Sequence, residues 1–133
     1  MKNKLIETVS GKTQCATSLA AIEDSLYVIG GKWKLKIIIA LREEGNMRFN
    51  ELQRTITGIS ARVLSNELKE LELNGFITRK VHTSTPVVIE YGLTGYSDSL
   101  QNVLGALIDW GLKHRNKIKT EAKKKRLIAP ANK

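Results

Sequence analysis

Asn50-Glu51-Leu52-Gln53-Arg54-Thr55-Ile56-Thr57-Gly58-Ile59-Ser60-Ala61-Arg62-Val63-Leu64-Ser65-Asn66-Glu67-Leu68-Lys69-Glu70-Leu71 is the stretch on which the fold turns. Asn50 with Gln53 three residues later has capping-box spacing, which predicts a short helix to about Ile56. Thr57-Gly58-Ile59 supplies a tight turn. Ser60 is a favourable N-cap, and Ile59 and Leu64 stand at the two positions of a hydrophobic staple. A second helix is therefore predicted from Ser60 to Leu73, terminated by Asn74-Gly75. Its inner side is Val63, Leu64, Leu68 and Leu71. Arg62, Ser65, Asn66 and Lys69 follow the spacing i, i+3, i+4, i+7 on the opposite side, and Glu67, Glu70 and Glu72 lie off that stripe.

Working outward, residues 1–14 are polar and read as a flexible N-terminal arm. From about Ser18, Leu19, Ile22, Leu26 and Ile29 recur at helical spacing until Gly30-Gly31. Trp33 opens a helix to about Arg42, with Trp33, Ile37, Ala40 and Leu41 on its apolar side, and Gly45-Asn46 ends it. Downstream, 76–81 and 87–93 are rich in β-branched and aromatic residues and flank the polar tip His82-Thr83-Ser84-Thr85-Pro86, as in a hairpin. A last helix starts at Thr94 or Ser97. Leu100, Val103, Leu104, Leu107 and Gly111 share one stripe, with Ala106 and Trp110 beside it. Past Leu112 the sequence turns basic and the apolar period stops. The order predicts an α+β fold: a winged helix-turn-helix over 15–112, a small β-hairpin wing, and a basic C-terminal tail over 113–133.

The stripe on the helix from Ser60 suits a major groove. All four side chains donate hydrogen bonds and none repels phosphate. Arg62 has the geometry for guanine and Asn66 for adenine, and both lie in the helix half that enters the groove. Groups near Ser60 suit a phosphate. Arg79, Lys80, Thr83 and Ser84 on the hairpin suit a wing tracking the DNA backbone, and Arg48 and Arg54 could reach further phosphates. A solvated polar face and a plain surface turn are the bland readings of the same residues.

Net charge is +9, with 22 Lys and Arg against 13 Asp and Glu. Such a balance favours a polyanionic partner. However, residues 113–133 hold nine basic residues and one acid, a net of +8, which leaves +1 for 1–112. Net charge alone does not decide the function. The tail reads three ways: as an extension of the last helix, as a contact to DNA outside the operator, or as a solvated charge block.

No apolar run reaches membrane-span length, no apolar segment follows the first lysines, and the single cysteine cannot pair within the chain. A cytoplasmic location with no membrane partner is the expectation. The two histidines fall in the hairpin and the tail. No metal-ligand spacing, nucleophile elbow or phosphate loop is present, so no cofactor, no metal and no enzymatic activity are expected.

Cys15, then Ile29-Gly30-Gly31-Lys32-Trp33, Arg48-Phe49-Asn50-Glu51-Leu52, Gly58-Ile59-Ser60, Leu68-Lys69-Glu70-Leu71, Gly75-Phe76-Ile77, Val88-Ile89-Glu90-Tyr91-Gly92-Leu93-Thr94 and Trp110-Gly111 occur in an order that closely resembles the HxlR family of bacterial winged helix-turn-helix regulators. The resemblance covers about residues 15–112. It implies a homodimer joined through N- and C-terminal helices, with Leu19, Ile22, Leu100, Val103, Leu104, Leu107 and Trp110 at the interface. It also implies two recognition helices in successive major grooves of a palindrome-like operator in double-stranded DNA. Several such proteins respond to oxidants, quinones or aldehydes through a cysteine at the position of Cys15. The expected site just before a helix N-terminus and near Lys12 favours a thiolate, whereas a small buried apolar residue is the other reading. The family usually has proline after that cysteine where this chain has Ala16, and Thr94-Gly95-Tyr96-Ser97 departs from its usual helix start. A protein-contact winged helix and a nonspecific nucleic-acid binder acting through the tail are the competing functions.

Overall fold

The computed structural model describes residues 11–128. They form two units that divide between Tyr96 and Ser97, taken separately below. In the first unit α1 spans Gly11–Ile29, α2 Lys34–Glu44, β1 Met47–Arg48, α3 Phe49–Thr55, α4 Ala61–Leu73, β2 Ile77–His82 and β3 Val88–Leu93. The strands form one antiparallel sheet in the order β1-β3-β2. Met47 pairs with Tyr91 at one edge of β3, and Ile77 with Leu93 through His82 with Val88 at the other. Two helices joined by a tight turn and followed by a hairpin make this a winged helix-turn-helix, the α+β class expected.

One side of α4 is consumed by the core. Leu64, Leu68 and Leu71 are buried, together with Ile37, Ile38 and Leu41 of α2, Leu52 of α3, Ile56 and Ile59 of the turn, Met47, Phe76 and Ile77. Each such aliphatic side chain stabilises the fold by about 1.5–3 kcal/mol relative to exposure. The opposite side of α4 is thereby fixed toward solvent. Ser60 Oγ accepts from the Val63 N–H at 3.1 Å, and the staple pair Ile59 and Leu64 are both buried. Gly58 sits at φ +88°, in the left-handed region that β-carbons disfavour. Gln53 spans the turn, donating to the Ile59 carbonyl.

Several boundaries differ from the sequence reading. The α3 cap is Arg48 rather than Asn50. Arg48 is already extended as the end of β1, so the chain enters the helix earlier, and Glu51, not Gln53, accepts the Arg48 backbone N–H at 2.8 Å. Strand β1 has only two residues and leaves no alternation to detect. At Gly92 a β-carbon would meet the Asn46 side chain, which would have to turn away. Helix α1 begins at Gly11, so the arm expected over 1–14 is helical in its last four residues, while 1–10 lie outside the described residues.

The second unit is a 3₁₀ turn, Gly95–Leu100, leading into one helix, α5, Gln101–Ile128; the first two residues of the turn belong to the first unit. Here Leu100 and Leu104 are buried, whereas Val103, Leu107 and Trp110 are exposed. The helix runs well past Leu112. Losing the apolar period removes a packing face but no helix propensity, because Lys, Arg, Glu and Ala are good formers and neither Gly nor Pro occurs between 112 and 128. Asp109 with Lys113 and Lys117 with Glu121, each at 3.2 Å, add i, i+4 support. Among the described residues no helix is long and apolar enough to cross a membrane.

Candidate nucleic-acid interface

Arg62, Asn66 and Lys69 are exposed on the outer side of α4, and Ser65 is half-buried between them. The cap at Ser60 leaves the first turn of α4, and with it Arg62, at the open end of the helix. Ser65 and Lys69 line a groove of about 360 Å³ with Leu68, Glu72, Arg79 and Tyr91. The fold therefore brings the wing's Arg79 to the outer stripe of α4. Glu72, expected off the stripe, shares the groove and places one carboxylate beside Lys69 and Arg79.

Strand alternation separates the two basic residues of the wing. Arg79 pairs with Tyr91 and shares its face with Ile77 and Val81, the face that meets α4. Lys80 pairs with Glu90 on the reverse face, with His82, whose Nε2 lies 3.1 Å from a Glu90 oxygen. Thr83 and Ser84 are exposed at the tip, where Ser84 Oγ donates to the Pro86 carbonyl at 3.0 Å. Arg48 is exposed at the β1–α3 junction. Arg54 is exposed but lines a separate hollow with Glu44 and Glu51, away from the groove.

An ion-pair cluster that the sequence does not advertise positions this surface. Lys34, at the start of α2, is buried, and its Nζ lies 2.7 Å from Glu67 Oε1 and 2.6 Å from Glu70 Oε1. Two of the three α4 carboxylates are thus drawn toward α2, where the single ammonium offsets one of their two charges and holds both off the outer stripe. Burial pushes the Lys34 pKa down. Hydrogen bonds to Glu67 and Glu70, and their charges, outweigh it and hold the value above the ordinary 10.5. A raised folded-state pKa means the tether's contribution is complete below the ordinary lysine value and is lost as pH rises through the higher folded one. The tether therefore holds across neutral pH. Lys34→Met should lower stability by about 1–3 kcal/mol, because two paired carboxylates lose their cation. Urea unfolding of the full chain measures it. Glu67→Gln and Glu70→Gln in the same chain should restore part of the loss, and an unchanged midpoint in the single variant would remove the tether from the account.

Cys15 is exposed and lies inside α1, four residues after its start, rather than before a helix N-terminus. The expected help from a free helix end is therefore absent, and Lys12's side chain lies outside the described residues. Leu19 and Ile22 are exposed on the same helix, with Leu26 and Tyr27. Among the described residues no group of His, Cys, Asp and Glu is placed to hold a metal ion.

Known proteins share this fold. A transcriptional regulator of the helix-turn-helix type from Halalkalibacterium halodurans is 44% identical over 92 residues, which is 69% of this chain and 81% of that protein. YtcD of Bacillus subtilis, named likewise, is 40% identical over 98 residues, covering 74% and 77% of the two chains. The solved structure of ytcD matches with a TM-score of 0.69 over 71% of this chain and 96% of its own, at 41% identity. The reduced form of the redox regulator HypR matches with a TM-score of 0.69 over 75% of this chain and 98% of its own, at 34% identity. The model of the HxlR-like helix-turn-helix family matches residues 28–119, a span that takes in α2, the capped α4, its Lys34 tether and the whole wing. By family model and by relatives alike, this chain belongs to the HxlR family and is a transcription regulator of the helix-turn-helix type.

Proposed function

We propose that the protein is a homodimeric, sequence-specific regulator that reads double-stranded DNA with α4. The observation that carries this reading is the outward stripe of Arg62, Ser65, Asn66 and Lys69, with Glu67 and Glu70 tethered back to Lys34. Arg62 pairs with a guanine edge and Asn66 with an adenine edge. Ser60 and the first turn of α4 meet a phosphate. Arg79 and the tip residues Thr83 and Ser84 follow the backbone, and Lys80, Arg48 and Arg54 add outlying charge. A protein-contact module fits less well, because that stripe carries no apolar side chain until Leu73 at its end.

Dimerisation places two such helices in successive grooves. Leu19, Ile22, Leu26 and Tyr27 of α1 and Val103, Leu107, Ile108 and Trp110 of α5 are exposed apolar side chains, and a second copy covers them. Leu100 and Leu104, expected at the same interface, are already buried in the single chain and offer a second copy little surface. Selection of bound sequences from random duplex DNA tests the reading. Two inverted half-sites one helical turn apart, or a multiple of it, are expected. Recovery of no motif would reject it.

Cys15 is the candidate for signal input. It is exposed on the N-terminal helix, HypR is a redox regulator of the same fold, and an oxidant, quinone or aldehyde is the matching inducer class. Cys15→Ser should bind the operator as tightly as the native chain, within about twofold, but lose any response to diamide or quinone. A response that survives the substitution removes Cys15 from the mechanism.

A further inference from the structure

Helix α5 continues to Ile128, and its basic half is sorted by face. Lys113 and Lys117 lie one turn apart and are each held by an acid of the same helix, Asp109 and Glu121, and Lys124 continues that side. Arg115, Lys119, Lys123 and Arg126 fall at spacings of four, four and three, so they line another side of the helix. All four are exposed, and among the described residues none of them has an ion-pair partner. At a rise of 1.5 Å per residue the row is about 17 Å long, with a cation roughly every 6 Å. Double-stranded DNA carries one negative charge per about 1.7 Å of axis, so each cation in such a row has phosphates within reach. The match to the family model ends at residue 119, so Lys123 and Arg126 lie beyond the part this chain shares with it.

We infer that Arg115, Lys119, Lys123 and Arg126 form a second, sequence-independent contact to the phosphate backbone of double-stranded DNA. The inference rests on the DNA-binding reading above. A solubilising tail needs only charge. It does not need both acids gathered on the side of Lys113, Lys117 and Lys124 and four cations with no acid on another side. Contact through these four residues releases condensed counterions, so it shows as steeper salt dependence rather than as base preference.

The test compares the full native chain with the R115Q/K119Q/K123Q/R126Q variant, the K123Q/R126Q variant and a K113Q/K117Q control. Each is titrated against a duplex recovered by selection and against a random-sequence duplex, from 50 to 200 mM salt. The fourfold variant should lower the slope of log affinity against log salt by about 2–4 per protomer on both duplexes. The double variant should give about half that change, and the control less than about 1. Glutamine is a good helix former, and circular dichroism should show helix content unchanged. An unchanged slope overturns the inference while leaving the recognition stripe intact. Equal flattening in the control overturns it too, since the face would not matter. So does a variant that loses binding to phosphatidylserine vesicles but keeps its DNA slope. A native chain that binds neither duplex sinks the DNA-binding reading itself.

Discussion

Arg62→Ala is expected to weaken binding to the selected operator by about 1–3 kcal/mol per half-site, roughly 5- to 150-fold, and to relax preference at one base pair. Affinity for random duplex should change by no more than about threefold. The asymmetry follows from what the side chain is placed to do. Arg62 is exposed in the first turn of a helix whose inner side is fully committed to Leu64, Leu68 and Leu71, so α4 cannot roll to present another residue. A phosphate-binding arginine would lose affinity on both duplexes alike, together with about one unit of salt slope. That uniform loss is expected instead of Arg79→Ala, whose side chain lies at the edge of the groove beside Lys69. Fluorescence anisotropy on the two duplexes separates the cases.

Leu107→Glu combined with Trp110→Glu should convert the dimer to monomer in sedimentation velocity and reduce operator affinity by about 10²- to 10⁴-fold. The loss is that large because binding the second half-site is intramolecular only while the two copies are joined. Both side chains are about half exposed or more in the single chain, at 49% and 64%, so glutamate there costs the isolated fold little. In an isologous interface each substitution is met twice, which doubles the unfavourable burial of charge. A double variant that stays dimeric with native operator affinity would mean that α5 is not the joining surface.

Much of the fold is legible because local chemistry and tertiary packing agree. Ser60 caps α4 and Ile59 staples it to Leu64, and those same residues feed the core. The hairpin register follows from alternation, which places Ile77, Arg79 and Tyr91 on one face. The features that escape the sequence are those set by distance or by absent signals. Lys34 reads as one more surface lysine beside Lys32 and Lys36, and only the fold brings it to Glu67, 33 positions away. Strand β1 is too short to carry a period, and its pairing with β3 moves the α3 cap from Asn50 to Arg48. The end of α5 was hidden because apolar periodicity reports a packing face, while helix formation past Leu112 rests on propensity and on pairs such as Lys117 with Glu121. The stripe on α4 was readable residue by residue. That Arg79 joins it and Lys80 does not required the strand's twofold alternation to be anchored against α4.

We propose above that α4 reads base sequence. The most direct test is the affinity of the full native chain for a selected duplex against a random duplex of the same length at one fixed salt concentration. At least about 10³-fold tighter binding to the selected duplex is expected, the usual margin of a specific regulator. Equal affinity for the two would contradict it and leave a protein held to DNA by charge alone.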